Sequence, residues 1–148
     1  MNLALFEPDI PQNAGTLLRL GAALGTPVHI IEPCGFPFGA DKGLKRAAMD
    51  YMDHVDLTRH PDWAAFEANP PGRLVLLTTK AAIPYWDFKF QSGDTLLLGR
   101  ESSGVPGFVH ERAEARLTIP MAGGLRSINV ATAAAMVMGE ALRQTQGP

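Results

Sequence analysis

Cysteine is almost absent from this chain of 148 residues, in which Cys34 is the only one. A single thiol cannot close an intrachain disulfide, so a disulfide-stapled fold is excluded. The four histidines are scattered and show no Cys/His spacing typical of a metal site. A chain of this length buries roughly 68–70% of its unfolded surface. We therefore expect a fold that depends on its hydrophobic core alone, without a metal.

Long hydrophobic runs are missing as well. The most apolar run, residues 128–139, is interrupted by Asn129 and Thr132, and it is shorter than the ~20 residues that cross a bilayer. Met1 leads directly into a strand-like segment without the basic region that opens a signal peptide. These features predict a cytoplasmic protein that makes no contact with a membrane.

An excess of positive charge is also lacking, since the formal net charge is -2. Nucleic-acid-binding proteins usually carry a basic face, so the total charge argues against such a partner. The argument is weak, because the distribution of charge matters more than its sum. Lys42, Lys45 and Arg46 form one local basic cluster.

Segments typical of strands and helices alternate along the chain. The hydrophobic pattern predicts strands at residues 2–7, 28–32, 54–59, 73–79, 95–98 and 117–119, and helices at residues 12–24, 42–49, 62–67, 106–113 and 127–144. No repeat, linker or low-complexity segment divides the chain, so residues 1–148 are expected to form a single domain. Alternating elements of this kind indicate an α/β fold, a parallel sheet with helices on both faces.

Three loops that carry polar residues beside glycines follow predicted strands. Ligands of open parallel sheets bind beyond the carboxyl ends of the strands, so these loops are the expected functional site. The first loop covers residues 8–15 and contains Asn13, with Arg19 six residues further on. Both side chains are predicted to lie near the start of one helix. Alternatively, Asn13 caps that helix and Arg19 lies on a solvated face.

The second loop, residues 99–106, follows the strand Leu96-Leu97-Leu98 and contains Glu101 between Gly99 and Gly104. Glycines allow a ligand to approach the backbone, and the loop leads into a helix N-terminus that favours polar or anionic groups. A glycine-rich turn after a strand is a weak signal alone. Neither the dinucleotide-binding fingerprint nor a Walker loop is present.

The third loop, residues 119–131, joins a strand to the final helix through Gly123 and Gly124. Ser127 is predicted to cap that helix, which places Asn129 in its first turn. The alternative to a functional loop is a flexible segment that leads into a capped helix. The final helix is apolar nearly all round, so it is expected to be buried.

Taken together, the three loops resemble the motifs of the SPOUT superfamily, and within it the TrmL-like branch of small tRNA 2'-O-ribose methyltransferases. The matching positions are Pro11, Asn13, Gly15 and Arg19 in the first loop, Leu98, Gly99, Glu101, Gly104 and Pro106 in the second, and Ile119, Pro120, Met121, Arg126, Ser127 and Asn129 in the third. The resemblance extends over residues 2–140. It implies a deep C-terminal trefoil knot, S-adenosylmethionine as methyl donor with S-adenosylhomocysteine as product, and a homodimer.

The resemblance also implies a role for individual residues. The expected reaction-centre residues are Asn13, Arg19, Glu101, Ser127 and Asn129. The expected cofactor contacts are Leu77, Thr78, Gly99, Gly104, Ile119, Met121 and Ser127. The expected RNA contacts are Lys42, Lys45, Arg46, Lys80 and Arg126, and no metal is expected.

Arg19 is a doubtful general base, because a guanidinium loses its proton only above pH ~12. Stabilisation of a developing alkoxide suits it better, with Glu101 orienting it through a hydrogen bond. A plain surface salt bridge is the alternative for Glu101. The final helix is expected to pack partly in the knot and partly across the dimer interface.

The chain departs from the family pattern at two positions, where Ala131 replaces a hydroxyl residue and Gly139 stands before Glu140 in place of a tyrosine. The implied reaction is methylation of a tRNA ribose at wobble position 34, a cytidine or modified uridine of tRNA-Leu. Alternatives are another tRNA or rRNA ribose, an inactive knotted RNA-binding protein, or a flavodoxin-like binding module.

Overall fold

The structure, a computed structural model, describes residues 1–147. Its strands are β1 (Asn2–Phe6), β2 (Val28–Ile31), β3 (Leu57–His60), β4 (Leu74–Leu77), β5 (Ile83–Pro84), β6 (Thr95–Leu98) and β7 (Ala115–Thr118). Its α-helices are α1 (Pro11–Leu24), α2 (Lys42–Ala48), α3 (Trp63–Glu67), α4 (Gly107–Arg112) and α5 (Val130–Gln146). Short 3-10 helices span Met49–Asp53 and Tyr85–Asp87.

The seven strands form one sheet in the order β3-β2-β1-β6-β4-β7-β5. Every pair of neighbouring strands is parallel. The apolar runs of β1, β4 and β6 lie in the middle of the sheet, as expected of strands covered on both faces. The predicted parallel sheet is confirmed.

Helices cover both faces of this sheet. On one face, buried residues of α1, α2 and α5 pack against Leu3, Leu5, Leu96 and Leu98. On the other face, Trp63 and Phe66 of α3 and Val109 of α4 pack against alternate residues of the same strands. This alternation places the two layers of the core on opposite sides of the sheet.

Helix α1 follows from local sequence signals. Pro11 occupies its first turn, where a missing N–H removes no helical hydrogen bond, and Gly25 ends it in the left-handed conformation at φ 62°. A Cβ atom at Gly15 would lie 2.6 Å from the Ala47 Cβ. Glycine at this position is therefore what lets α1 approach α2 so closely.

The largest differences from the predicted elements are two starting points and one missed strand. Strand β3 starts at Leu57 rather than residue 54, because a 3-10 helix and a turn occupy residues 49–54. Strand β5 was not predicted, since two residues show no periodicity. Helix α5 begins at Val130 with Asn129 as its cap, so the predicted cap at Ser127 is incorrect.

Helix α5 is only partly buried, contrary to the expectation from its apolar composition. Ala134, Val137, Met138 and Ala141 face the sheet and are buried. A second stripe at helical spacing is exposed, formed by Thr132, Ala135, Met136 and Gly139. Within residues 1–147, no helix combines the length and apolar character needed to cross a bilayer.

Candidate active site

A cleft of about 630 Å³ opens beyond the carboxyl ends of β4, β6 and β7. Leu77 and Thr78 form its wall after β4, Gly99 to Val105 after β6, and Thr118 to Val130 contribute after β7. Ile10 and Asn13, at the start of α1, also line it. The cleft thus lies where a parallel sheet binds its ligands.

All seven predicted cofactor contacts line this cleft: Leu77, Thr78, Gly99, Gly104, Ile119, Met121 and Ser127. They come from three loops that are far apart in sequence and meet because β6, β4 and β7 are neighbours in the sheet. Their apolar side chains and open loop backbone offer the mixed lining typical of small-molecule sites. Their individual roles stay predictions.

Asn129 joins the third loop to the first. Its Oδ1 accepts hydrogen bonds from Ala131 N at 2.9 Å and Thr132 N at 3.2 Å, which caps α5. Its Nδ2 donates to Asn13 Oδ1 at 2.9 Å. Asn13 does not cap α1, whose cap position is Ile10. One amide therefore sets the start of α5 and orients Asn13 in the cleft.

Glu101 is paired with Asp9, which sequence reasoning missed. Asp9 N donates to Glu101 Oε2 and Glu101 N donates to Asp9 Oδ1, each at 3.2 Å, and the Ser102 hydroxyl also donates to Asp9. Burial, and next the contact between the two carboxyl groups, raises the pKa of Glu101. The same contact between the carboxyl groups lowers the pKa of Asp9. The pair therefore holds the first and second loops together and favours a proton on Glu101.

Arg19 lies outside the cleft of its own chain. Its guanidinium Nη1 donates to Met49 Sδ at 3.1 Å and lies 5.2 Å from the centre of the Tyr51 ring. The prediction that it lies beside Asn13 and is oriented by Glu101 is wrong within one chain. Asn13 and Arg19 are six residues apart, which corresponds to a rotation of about 600° around the helix axis, or one full turn plus 240°. The two side chains therefore point in different directions.

The five predicted RNA contacts fall into two groups. Lys80 and Arg126 line the cleft. Lys42, Lys45 and Arg46 are exposed and lie on α2, which packs against α1. A cationic surface at α2 and another at the cleft mouth are compatible with a long anionic ligand. These RNA contacts stay predictions.

The cleft contains an unsatisfied polar atom that also escaped sequence analysis. His110 Nε2 of α4 is buried and has no hydrogen-bond partner among residues 1–147, and its side chain lines the cleft. A buried ring nitrogen without a partner is costly, so a bound ligand with a polar group fits this position. Open space lies around Gly104 and Gly124, whose φ values of 66° and 83° favour glycine.

The cleft offers both polar groups and apolar side chains. No three His, Cys, Asp or Glu side chains among residues 1–147 converge in the manner of a metal site. Amide groups, the Glu101 carboxyl and loop backbone line the cavity. Such groups bind, orient and exchange protons with a neutral or cationic organic ligand.

Comparison with known proteins agrees with this arrangement. Residues 1–139 match the SpoU rRNA Methylase family. A tRNA (cytidine(34)-2'-O)-methyltransferase of Beijerinckia indica subsp. indica is 58% identical over 145 residues, which cover 96% of this chain and 90% of that protein.

Two solved structures share the fold. One, described as giving structural insights into the 2-OH methylation of C/U34 on tRNA, has a TM-score of 0.90 at 44% identity and covers 97% of this chain and 94% of its own. The other, an AdoMet-bound rRNA methyltransferase from Sinorhizobium meliloti, has a TM-score of 0.85 at 26% identity over 96% of this chain and 55% of its own.

Proposed function

The chain belongs to the SpoU rRNA methylase family, and we propose that it transfers a methyl group from S-adenosylmethionine to the ribose 2'-oxygen of tRNA position 34. The observation that carries the proposal is the single cleft in which the three loops meet. The target position follows from the similar protein of Beijerinckia indica, which is named for cytidine 34. Residues 1–148 form one methyltransferase domain in this proposal. The protein is proposed to act in the cytoplasm.

S-adenosylmethionine fits the cleft by size and chemistry. The cavity of about 630 Å³ lies within the ~300–1,000 Å³ typical of small-molecule sites. Leu77, Ile119 and Met121 supply apolar walls, and the loop backbone supplies hydrogen-bonding groups. The His110 Nε2 atom gives a further polar contact. When bound, the cofactor supplies an electrophilic methyl group on a sulfonium, and S-adenosylhomocysteine is left.

The residues at the mouth of the cleft then handle the ribose hydroxyl. Asn13, fixed by Asn129, orients the hydroxyl through its own amide. Glu101 lines the same cleft, and the Asp9–Glu101 pair accepts the proton that the hydroxyl loses as its oxygen attacks. Ser127 also lines the cleft. Attack requires near-attack geometry, which a rigid set of loops provides.

The proposed enzyme is a homodimer. The exposed stripe of α5 (Thr132, Ala135, Met136 and Gly139) consists of small or flexible residues that allow a close helix approach. Arg19 supports the same proposal, because it lies outside the cleft of its own chain. In a dimer, Arg19 enters the partner's cleft and stabilises negative charge on the oxygen or pairs with a phosphate.

We also propose the trefoil knot, in which residues 119–129 and α5 pass through the segment that connects β4 to β6. The support is that β7 is hydrogen-bonded to β4 while α5 packs against β6 and the 3-10 helix at Tyr85–Asp87. The chain after β7 must therefore return across strands that precede it.

The RNA is held in this proposal by Lys80 and Arg126 at the cleft and by Lys42, Lys45 and Arg46 on α2. A dimer carries a net charge of about -4, twice the -2 of one chain, so binding depends on these local patches. We propose tRNA-Leu as the substrate.

Methyl incorporation from radiolabelled S-adenosylmethionine into a set of unmodified tRNA transcripts tests the function. We expect incorporation into tRNA-Leu and little into tRNAs of other families. Incorporation that is equal for all transcripts contradicts the choice of substrate, and none with any transcript or with bulk tRNA contradicts the activity. Sedimentation at micromolar concentration tests the dimer, which a monomeric mass contradicts.

A further inference from the structure

A second pocket of about 390 Å³ lies next to the active-site cleft. The two cavities share a wall formed by Arg100, Ser103 and Val105. The rest of the pocket is lined by Phe6, Glu7, Pro106 and Phe108. A group that occupies this pocket therefore lies beside whatever is held at the mouth of the cleft.

Phe108 gives the pocket an open aromatic face. Its side chain is 59% exposed although phenylalanine is normally buried. The ring lies beside the buried Trp63, whose centroid is 6.4 Å away at an interplanar angle of 58°. An exposed ring next to a buried aromatic residue suits the stacking of a flat ligand, since stacking depends on a preset aromatic surface.

The charges in the pocket are paired. Arg100 forms an ion pair with Glu7, and its guanidinium lies 5.4 Å from the centre of the Phe6 ring. A cation that is neutralised in this way attracts a phosphate weakly. Its planar face and the Ser103 hydroxyl still offer stacking and hydrogen bonds to a neutral, flat, polar group. These properties favour a nucleobase over a phosphate.

Glu7 adopts a backbone conformation that is unfavourable for a side-chain-bearing residue. Its φ is 43°, in the left-handed region. Such a conformation is unfavourable and persists where the surrounding structure requires it. Here it ends β1 and brings the Glu7 carboxylate to Arg100, so the pocket is built at a cost in local backbone energy.

We propose that this pocket receives the nucleobase of a nucleotide adjacent to position 34, stacked on Phe108 with its edge toward Arg100 and Ser103. The inference rests on the proposed function. An anticodon-loop ribose reaches the cleft when its nucleotides are splayed out of their stack, and each exposed base then needs a new stacking partner. Phe108 supplies that partner for the neighbouring base.

Photo-crosslinking tests the contact directly on the wild-type protein. An anticodon stem-loop RNA carries 5-iodouridine at the nucleotide on one side of position 34, and a second RNA carries it on the other side. We expect ultraviolet irradiation with S-adenosylhomocysteine present to crosslink one of these RNAs to Phe108. Crosslinks that map to other peptides, or no crosslink from an RNA that binds and is methylated, overturn the pocket.

Kinetics supply a second, independent measurement. Phe108→Ala is expected to raise the KM for RNA about fivefold, the lower end of the effect of losing one base–aromatic stack, while kcat and cofactor affinity change little. Phe108→Trp is expected to restore the KM. Trp86→Ala is the matched control, because Trp86 is 51% exposed and lies outside the pocket.

An unchanged KM in Phe108→Ala overturns the inference while leaving the proposed function intact. If the wild-type protein methylates no RNA at all, the proposed function fails, and the pocket inference fails with it. The melting temperature of each variant, measured by circular dichroism, identifies a loss caused by unfolding.

Discussion

Replacement of Asn129 separates stability from catalysis, because its side chain has two functions in the structure. The Oδ1 atom caps α5 at 2.9 and 3.2 Å, and the Nδ2 group holds Asn13 at 2.9 Å. Asn129→Ala removes both, whereas Asn129→Asp keeps an acceptor for the cap and removes only the donor to Asn13. A carboxylate is also favourable at a helix N-terminus.

Loss of the cap in Asn129→Ala should lower the free energy of unfolding by about 1 kcal/mol. For a domain of this size, that is a fall in melting temperature of roughly 2–4 °C. Asn129→Asp should melt within about 2 °C of wild type. It should nevertheless lose about tenfold or more in the rate of methyl transfer, since Asn13 must then turn its amide or move away from the new carboxylate.

The assays are thermal unfolding by circular dichroism and single-turnover methylation of tRNA with saturating cofactor. A full rate in Asn129→Asp would show that the bridge between the two amides plays no part in the reaction. An unchanged melting temperature in Asn129→Ala would refute the role of Asn129 as the cap of α5.

Three further outcomes follow from the geometry. Arg19→Ala and Glu101→Gln chains, each expected to be inactive alone, should regain about a quarter of the wild-type activity when they are co-expressed. Half of the dimers are then mixed, and each mixed dimer has one intact site. If no activity is recovered, Arg19 does not act in the partner's cleft. Gly99→Ala should weaken S-adenosylmethionine binding about tenfold, as measured by calorimetry, since the added Cβ would lie 2.7 Å from the Gly104 carbonyl carbon. Gly93→Ala is the control, because open space surrounds Gly93, and it should bind the cofactor with wild-type affinity. Equal affinities of the two variants would refute the effect of the close contact. His29 Nδ1 lies 3.0 Å from His60 Nε2, and burial lowers the pKa of both rings below the ordinary 6.5. The stability contributed by this pair should thus be fully present above about pH 6.5 and fall as the pH drops through the folded-state pKa values. If the melting temperature falls as much between pH 7 and pH 5 in the double variant His29→Phe/His60→Phe as in the wild type, this account is contradicted.

Much of the fold is predictable from the sequence because its signals are local. The apolar runs of β1, β4 and β6 and the glycine at the end of α1 predict those elements directly. The place of the cleft is also predictable, since loops after neighbouring parallel strands meet at one edge. The start of α5 is different, because Ser127 and Asn129 are both good caps and hydrophobic periodicity does not choose between them.

The contacts of Arg19 and Glu101 were not predictable, because they depend on the order of strands in the sheet. Strands β1 and β6 are neighbours, which places Asp9 at the end of one strand beside Glu101 at the end of the other. Arg19 lies two turns further along α1 and faces Met49. Sequence spacing alone carries no information on which of two loops a charged residue meets.

Mapping the methyl group on its tRNA product tests the central claim most directly. tRNA methylated in vitro is digested with a nuclease, and the fragments are analysed by mass spectrometry and by alkaline hydrolysis. The account predicts one added methyl on the ribose of nucleotide 34 and resistance of the following phosphodiester to alkali, because its cleavage needs a free 2'-hydroxyl. A methyl group on a base, or on the ribose of another nucleotide, would contradict it.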